Sequence, residues 1–415
     1  MQDLAPLITD IRDRFAHVDT CPFTGPRIFF ENAGGALTLK SVVAASEKFA
    51  AIPDNQGRDN AASQALMAII DQGKADARLL LNAPDGEIFV GESGTELCFR
   101  TIRAACRGAG SGRVLGATIE HPATGSAARL WAQETGRDYT AVIHDNDTGT
   151  VSADAYAQAV TADTAVATIL HTSPVSGMGM DVAAIVAAIR AVSPDCLIIV
   201  DGIQHAAHGG IDIAAYDIDA YVVSPYKVYS RHGYGLAWVS DRLARLPHDN
   251  LIGAELTRWE LGTRDTGAYA TFSEVVRYFE WLGGAVGETG DARARIKAAG
   301  RAMQAQEKTL TDAMLHGTGN LAGLADMDKV HVIGGIDNPT REGLVSLTVD
   351  GLTSGQVVAG LADHGIRTHQ RKDDHYSGPV LIPLGLDSCV RVSLCHYNSL
   401  EEVSQFLAAM RDIVG

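Results

Sequence analysis

The stretch CLIIVDGIQHAAHGGIDIAAYDIDAYVVSPYKVYSRHGYGLAWV, residues 196–239, decides how this chain is read. Its first apolar, β-branched run, 196–200, ends on a single carboxylate, Asp201. A second run, 220–223, breaks into Ser224-Pro225-Tyr226-Lys227, and a third, 236–239, follows a glycine-rich turn. Short apolar runs separated by tight punctuation predict three strands on one side of a sheet. An acid at one strand's end and a lysine just past another then meet at one rim, where open α/β sheets place their ligands.

Such a pair suits aldehyde-cofactor chemistry. A lysine forms a Schiff base with pyridoxal 5'-phosphate, and an Asp against the pyridinium nitrogen lets the ring act as electron sink. A surface lysine and a strand-end Asp are also common without any chemistry, and the pair alone does not separate these readings. The motifs around it do. Asp201-Gly202-Ile203-Gln204 and Ser224-Pro225-Tyr226-Lys227 resemble the D-x-A-Q and S-x-H-K of class V aminotransferases of fold-type I, above all the group II cysteine desulfurases. The resemblance implies that Lys227 is the Schiff-base lysine and Asp201 the pyridinium partner. It gives Gln204 the contact to the ring's phenolic oxygen and makes Ser224 a phosphate ligand. Tyr226 stands where that family has His; its phenol can still donate to phosphate but carries no titratable positive charge.

The resemblance covers nearly the whole chain. Gly91-Glu92-Ser93-Gly94-Thr95-Glu96 follows a strand at 87–90 and opens a helix expected at 97–105. Free N–H groups and the positive dipole end there suit a phosphate, although ordinary capping by Ser93 or Thr95 explains the turn equally well. Because the family's G-T-T-E turn holds the cofactor phosphate at this point, the resemblance assigns that role to Gly94 and Thr95. Glu120-His121 matches an E-H motif whose imidazole stacks on the ring, so His121 joins Lys227 and Asp201 as a catalytic candidate. Arg258-Trp259-Glu260-Leu261-Gly262-Thr263 resembles R-F-E-x-G-T. By that likeness Gly262 and Thr263 reach the neighbouring subunit's phosphate, which implies a homodimer with shared active sites. Ala33 and Gly34 match the segment lining the substrate carboxylate. Arg391, in Val390-Arg391-Val392-Ser393-Leu394, matches the R-x-S-L whose Arg clamps the substrate α-carboxylate.

Two departures bear on the reaction. Pro174, in His171-Thr172-Ser173-Pro174, stands where the family has an Asn and cannot supply an amide. The loop at 367–377, RTHQRKDDHYS, has no cysteine where group II desulfurases carry their nucleophile in R-x-G-H-H-C. Persulfide chemistry is therefore not expected. The loop offers His369, Arg371, His375 and Tyr376 for substrate recognition or acid–base work, with His375 taken as the substrate-binding candidate; loop polarity explains them about as well. Gly108-Ala109-Gly110-Ser111-Gly112 precedes a strand instead of following one, the wrong context for a dinucleotide turn. His205 and His208 have helical metal-ligand spacing without a third ligand pattern, so no metal is expected.

Composition sets the bounds. A chain of 415 residues, 46% apolar and 20% charged, can bury a large core, and its formal charge of −16 speaks against nucleic acid or an anionic membrane surface. No apolar run approaches the roughly 18 residues of a membrane span. The N-terminus has no basic region followed by an apolar one, so no signal peptide is expected. Six cysteines without a C-x-x-C pair read as reduced thiols in a cytoplasmic protein, with Cys389 and Cys395 structural.

The expected fold is α/β, of the fold-type I class. An N-terminal segment, 1–27, packs on the small domain. A large pyridoxal-phosphate domain with a mainly parallel, seven-stranded type of sheet covers 28–285. A helix at 291–316 bridges into a smaller α+β domain, 286–415, with strands at 330–333, 344–349 and 389–394 and helices at 354–364 and 400–413. The expected activity is that of an enzyme which removes or moves the α proton of a small amino-acid substrate. Elimination by a carbon–sulfur lyase comes first, transamination close behind, then epimerisation. A cofactor-binding partner without turnover is the alternative from another class.

Overall fold

A computed structural model gives the architecture, and it describes residues 4–415. The large sheet has seven strands: β1 (Glu87–Gly91), β2 (Arg113–Ala117), β3 (Tyr139–Val142), β4 (Thr164–Leu170), β5 (Leu197–Asp201), β6 (Ala220–Val223) and β7 (Gly235–Val239). Their order is β1-β7-β6-β5-β4-β2-β3. Only β7 runs against its neighbours β1 and β6; the other pairings are parallel. Strands β5 and β6 are buried at every position, as a parallel sheet covered on both faces requires. Side chains alternate between the faces. Leu197 and Ile199 enter one core cluster with the helices Gly94–Gly108 and Pro122–Glu134. Ile198 and Val200 enter the other, beneath Val182–Val192, Thr266–Ala285 and the first half of Ala292–His316.

The smaller domain is built on an antiparallel sheet of β8 (Val330–Val332), β9 (Leu344–Val349), β10 (His369–Lys372) and β11 (Ser388–Ser393), in the order β8-β9-β11-β10. Val345, Leu347, Val390 and Val392 pack with Val357, Leu361, Phe406 and Met410 of the helices Ser354–Asp363 and Leu400–Val414. The alternate residues of β11, Cys389, Arg391 and Ser393, therefore face the large domain. Helix Ala292–His316 joins the two cores: Ile296 and Met303 lie in the large one, Leu310 and Met314 in the small one.

Three local expectations change. The stretch expected as a loop at 367–377 contains edge strand β10, paired with β11 from His369↔Arg391 to Lys372↔Ser388. The helix expected at 97–105 begins at Gly94, because the Ser93 side chain caps it by accepting from Glu96 N–H. Residues 28–30, assigned by sequence to the large domain, sit with the small one. Ile28–Phe29 pairs in parallel with Ile366–Arg367, and Phe30 lies in the small core. In the N-terminal segment, Phe15 packs against Tyr229, Tyr278, His396 and Tyr397, while Arg12 bonds Glu402 and the Tyr397 carbonyl. It touches both domains.

Candidate active site

Strand direction assembles the site. Asp201 ends β5, Ser224 follows β6, the Ser93–Thr95 turn follows β1, His121 lies beyond β2, and Thr172 and Pro174 lie beyond β4. All are at the carboxyl ends of mutually parallel strands, the rim where open α/β sheets bind ligands. There Thr95, His121, Thr172, Pro174, Asp201, Ile203, Gln204, Ser224, Tyr226 and Lys227 line one cavity with Leu170.

Lys227 sits at the end of a short 3-10 turn, Pro225–Lys227, and its Nζ donates to Gln204 Oε1 at 3.1 Å. Burial, reinforced by the Arg391 charge, lowers its pKa to about 7, although Asp201 pulls the other way. A substantial neutral-amine fraction, the nucleophile and base, therefore exists near neutrality. Asp201 is 2% exposed and has no cation within ion-pair distance among the described residues. Its carboxylate accepts from Thr124 Oγ1 at 2.8 Å and from Ile203 N–H at 3.1 Å, which fixes its direction. His121 is the N-cap of helix Pro122–Glu134, with Nδ1 accepting from Ala123 N–H at 3.1 Å. Burial lowers its pKa to about 4 despite Asp201, so the ring is neutral with its proton on Nε2.

At the other end of the cavity a Cβ on Gly94 would collide with the Ser224 hydroxyl, so only glycine lets the helix N-terminus close on that group. Tyr226 stacks on His232, ring centroids 4.4 Å apart, and its ring lies against Gly35. Arg391 is buried, with Nη1 donating to the Pro174 carbonyl at 3.0 Å, while its Nε has no partner. Pro174 thus contributes its carbonyl to hold the guanidinium. Gly34 lies beside Arg391 Nη2, and Ala33 N–H donates to Ser393 Oγ at 2.9 Å.

Not every expected residue meets the others. His375 is exposed and reaches the site only through Tyr376, whose ring lies 4.0 Å from it and 5.7 Å from His121. Gly262 and Thr263 lie away from the cavity, in an open groove with Gln56, Arg58, Lys74 and Arg264. The two histidines of H-A-A-H part company. His205 Nδ1 meets Glu342 at 2.7 Å and His208 Nδ1 meets Glu307 at 2.8 Å, while His208 Nε2 receives Gln204 Nε2 at 3.1 Å. Cys395 stands within 4.8 Å of the His208–Glu307 pair. Sequence reading missed Thr124, Glu307 and Glu342. Thr124 sits one helical turn beyond His121, a spacing that could have flagged it; the two glutamates come from far along the chain, with no local signal.

A buried acid without an ion-pair partner, a half-buried lysine lining the same cavity and a helix N-terminus closed on Ser224 by Gly94 form a cradle for a phosphorylated pyridine aldehyde. The family model for class-V aminotransferases matches residues 28–406. The chain belongs to that family. Class-V members use pyridoxal 5'-phosphate, and this one is a pyridoxal-phosphate-dependent enzyme, a transferase or lyase. It is 26% identical over 408 residues to an aminotransferase-like protein of Gibberella zeae, covering 94% of this chain and 95% of that one. It is 27% identical over 412 residues to a probable cysteine desulfurase of Xylella fastidiosa, covering 93% and 90%. The solved apo cysteine desulfurase of Thermococcus onnurineus NA1 shares the fold, with a TM-score of 0.79, 21% identity and 98% of each chain covered. Among the described residues no helix is long and apolar enough to cross a membrane.

Proposed function

We propose that this class-V enzyme labilises the α-hydrogen of an amino acid, with Lys227 as cofactor anchor and base. The observation that carries this reading is the half-buried Lys227 amine, which bonds Gln204 in the cavity that Asp201 and His121 also line, with its pKa brought to about 7. Pyridoxal phosphate, when bound, supplies the aldehyde that receives the substrate amine and a ring that takes up the electron pair left by the α proton. Asp201 would hold the ring nitrogen, Gln204 the phenolic oxygen and His121 the ring face, with Ser224, Gly94, Thr95 and Tyr226 around the phosphate. Arg391 fixes the α-carboxylate beside Ala33 and Gly34, and His375 supports Tyr376 at the entrance. Arg391's partnerless Nε supports that role: one N–H of this buried guanidinium has no acceptor until an anion enters, the Pro174 carbonyl serving only Nη1. Gly262 and Thr263, remote from their own Lys227, would serve a neighbouring copy in a homodimer. Six unpaired cysteines fit a reducing, cytoplasmic setting.

Relatives named as cysteine desulfurases make carbon–sulfur elimination one form of this chemistry. All six thiols are buried; burial pushes Cys389 up to about 11, so that thiol gives no support to a thiolate acceptor, whereas hydrogen bonds at Thr24 and Phe23 lower Cys21, in the N-terminal segment, to about 7. Incubation of the cofactor-loaded protein with L-cysteine separates the outcomes. Pyruvate with free sulfide establishes elimination; alanine establishes desulfuration with another acceptor. The anchor role predicts that borohydride reduction locks cofactor mass onto Lys227 and that Lys227→Ala abolishes it. An adduct on any other lysine overturns the assignment.

A further inference from the structure

The rim of the site carries a second guanidinium that the chemistry above does not use. Arg371 lies on edge strand β10 directly opposite Cys389 of β11, while His369, two residues earlier, lies opposite Arg391. Side chains two apart on a strand share a face, so Arg371 and Arg391 look the same way, toward the large domain. The intervening Gln370 turns the other way, against Gly355 of helix Ser354–Asp363. Arg371 is half-buried, and its Nε is shut off from solvent without a hydrogen-bond partner. Among the described residues its guanidinium forms neither a hydrogen bond nor an ion pair. The neighbouring acids are occupied. Asp374 accepts the N–H groups of Tyr376 and Ser377, and Glu31 pairs with Arg367 and His369, both at 3.3 Å.

The Arg371 charge is felt across the site: it disfavours the protonated forms of Lys227, His121 and Arg391. Two partially desolvated cations on one face, neither paired with a carboxylate, repel each other. An incoming ligand with two anionic groups relieves both, and the planar guanidinium fork matches a carboxylate.

We infer that the substrate is a dicarboxylic amino acid, its α-carboxylate on Arg391 and its side-chain carboxylate on Arg371. This rests on the α-hydrogen reading and specifies its substrate class.

The test titrates cofactor-loaded protein with L-aspartate, L-glutamate, L-alanine and L-cysteine, following the visible absorbance of the bound cofactor. Aspartate or glutamate is expected to act at concentrations at least tenfold below those of alanine and cysteine. In Arg371→Gln that preference falls about ten- to hundredfold, the weight of one charge-assisted carboxylate contact, and Arg371→Lys restores part of it. Equal response to mono- and dicarboxylic amino acids, or a preference unmoved in Arg371→Gln, overturns the inference. A second arm keeps it separable from the reaction. Calorimetry on cofactor-free protein should show succinate binding more tightly than butyrate, with the difference lost in Arg371→Gln and in Arg391→Gln. If no amino acid perturbs the cofactor but this preference holds, the α-hydrogen reading falls and the two-guanidinium site stands. No preference for succinate overturns the site itself.

Discussion

Glu120 shows how closely a single residue ties this site to the fold. It immediately precedes His121 and is fully buried, with Oε1 accepting from Thr168 Oγ1 at 2.5 Å and Oε2 without a partner. Burial raises its pKa from 4.5 to about 8, although the Thr168 hydrogen bond works against this. Between those values the folded protein holds a proton that the unfolded chain has released, so this group's contribution to stability falls as pH rises from about 4.5 to 8. Glu120→Gln has nearly the same shape and no proton to lose. At pH 7 it should be more stable than the parent by on the order of 3 kcal/mol, the gain vanishing toward pH 4.5. Denaturant midpoints across that range decide it, and a pH-independent difference would contradict the protonated state. At this scale the motif residues Asp201, Gln204, Ser224 and Lys227 were legible because one short stretch carries them all. Thr124 and Glu307 were not, since each acts through a side-chain bond to a partner distant in sequence, at Asp201 and His208.

At the level of elements, the uninterrupted apolar runs at 196–200 and 220–223 were enough to read buried strands, because a strand covered on both faces has no polar side to show. Strand β10 was hidden because HQRK has no apolar residue; its pairing comes from the neighbouring β11, and an edge strand with charged side chains looks like a loop in sequence. That is also why Arg371 read as one polar loop residue among several. The segment at 249–264 is the complementary case. Leu251, Ile252, Leu256 and Leu261 are all substantially exposed, with Ile252 at 107%. Leu251 lines the same groove as Gly262 and Thr263. Exposed apolar side chains along one segment suit the partner contact that the proposed homodimer requires. On the proposed homodimer, replacing Leu251 and Ile252 together by Asp should give a monomer in sedimentation where the parent is a dimer, and weaken cofactor retention about tenfold or more through loss of the proposed partner contacts to the phosphate. A variant that stays dimeric with full cofactor affinity would contradict this use of the segment.

For the whole molecule, the site depends on two domains meeting. The large sheet brings Lys227, Asp201 and His121 to its rim, while the small sheet carries Arg391 and Arg371 on the face toward it and the turn after β10 places Tyr376 beside His121. Glu307 and Glu342 anchor the large-domain residues His208 and His205 from beyond residue 300. The long helix Ala292–His316 contributes to both cores and so holds the halves in register. The central claim is that Lys227 moves the α proton of an amino acid bound in this cleft. Proton NMR in deuterium oxide tests it most directly, on cofactor-loaded protein offered a panel led by aspartate, glutamate and cysteine. The account predicts loss of the α-proton signal for at least one amino acid, whatever product follows, and no such loss with Lys227→Ala. An unexchanged α proton across the panel, or exchange that persists unchanged in Lys227→Ala, would contradict it.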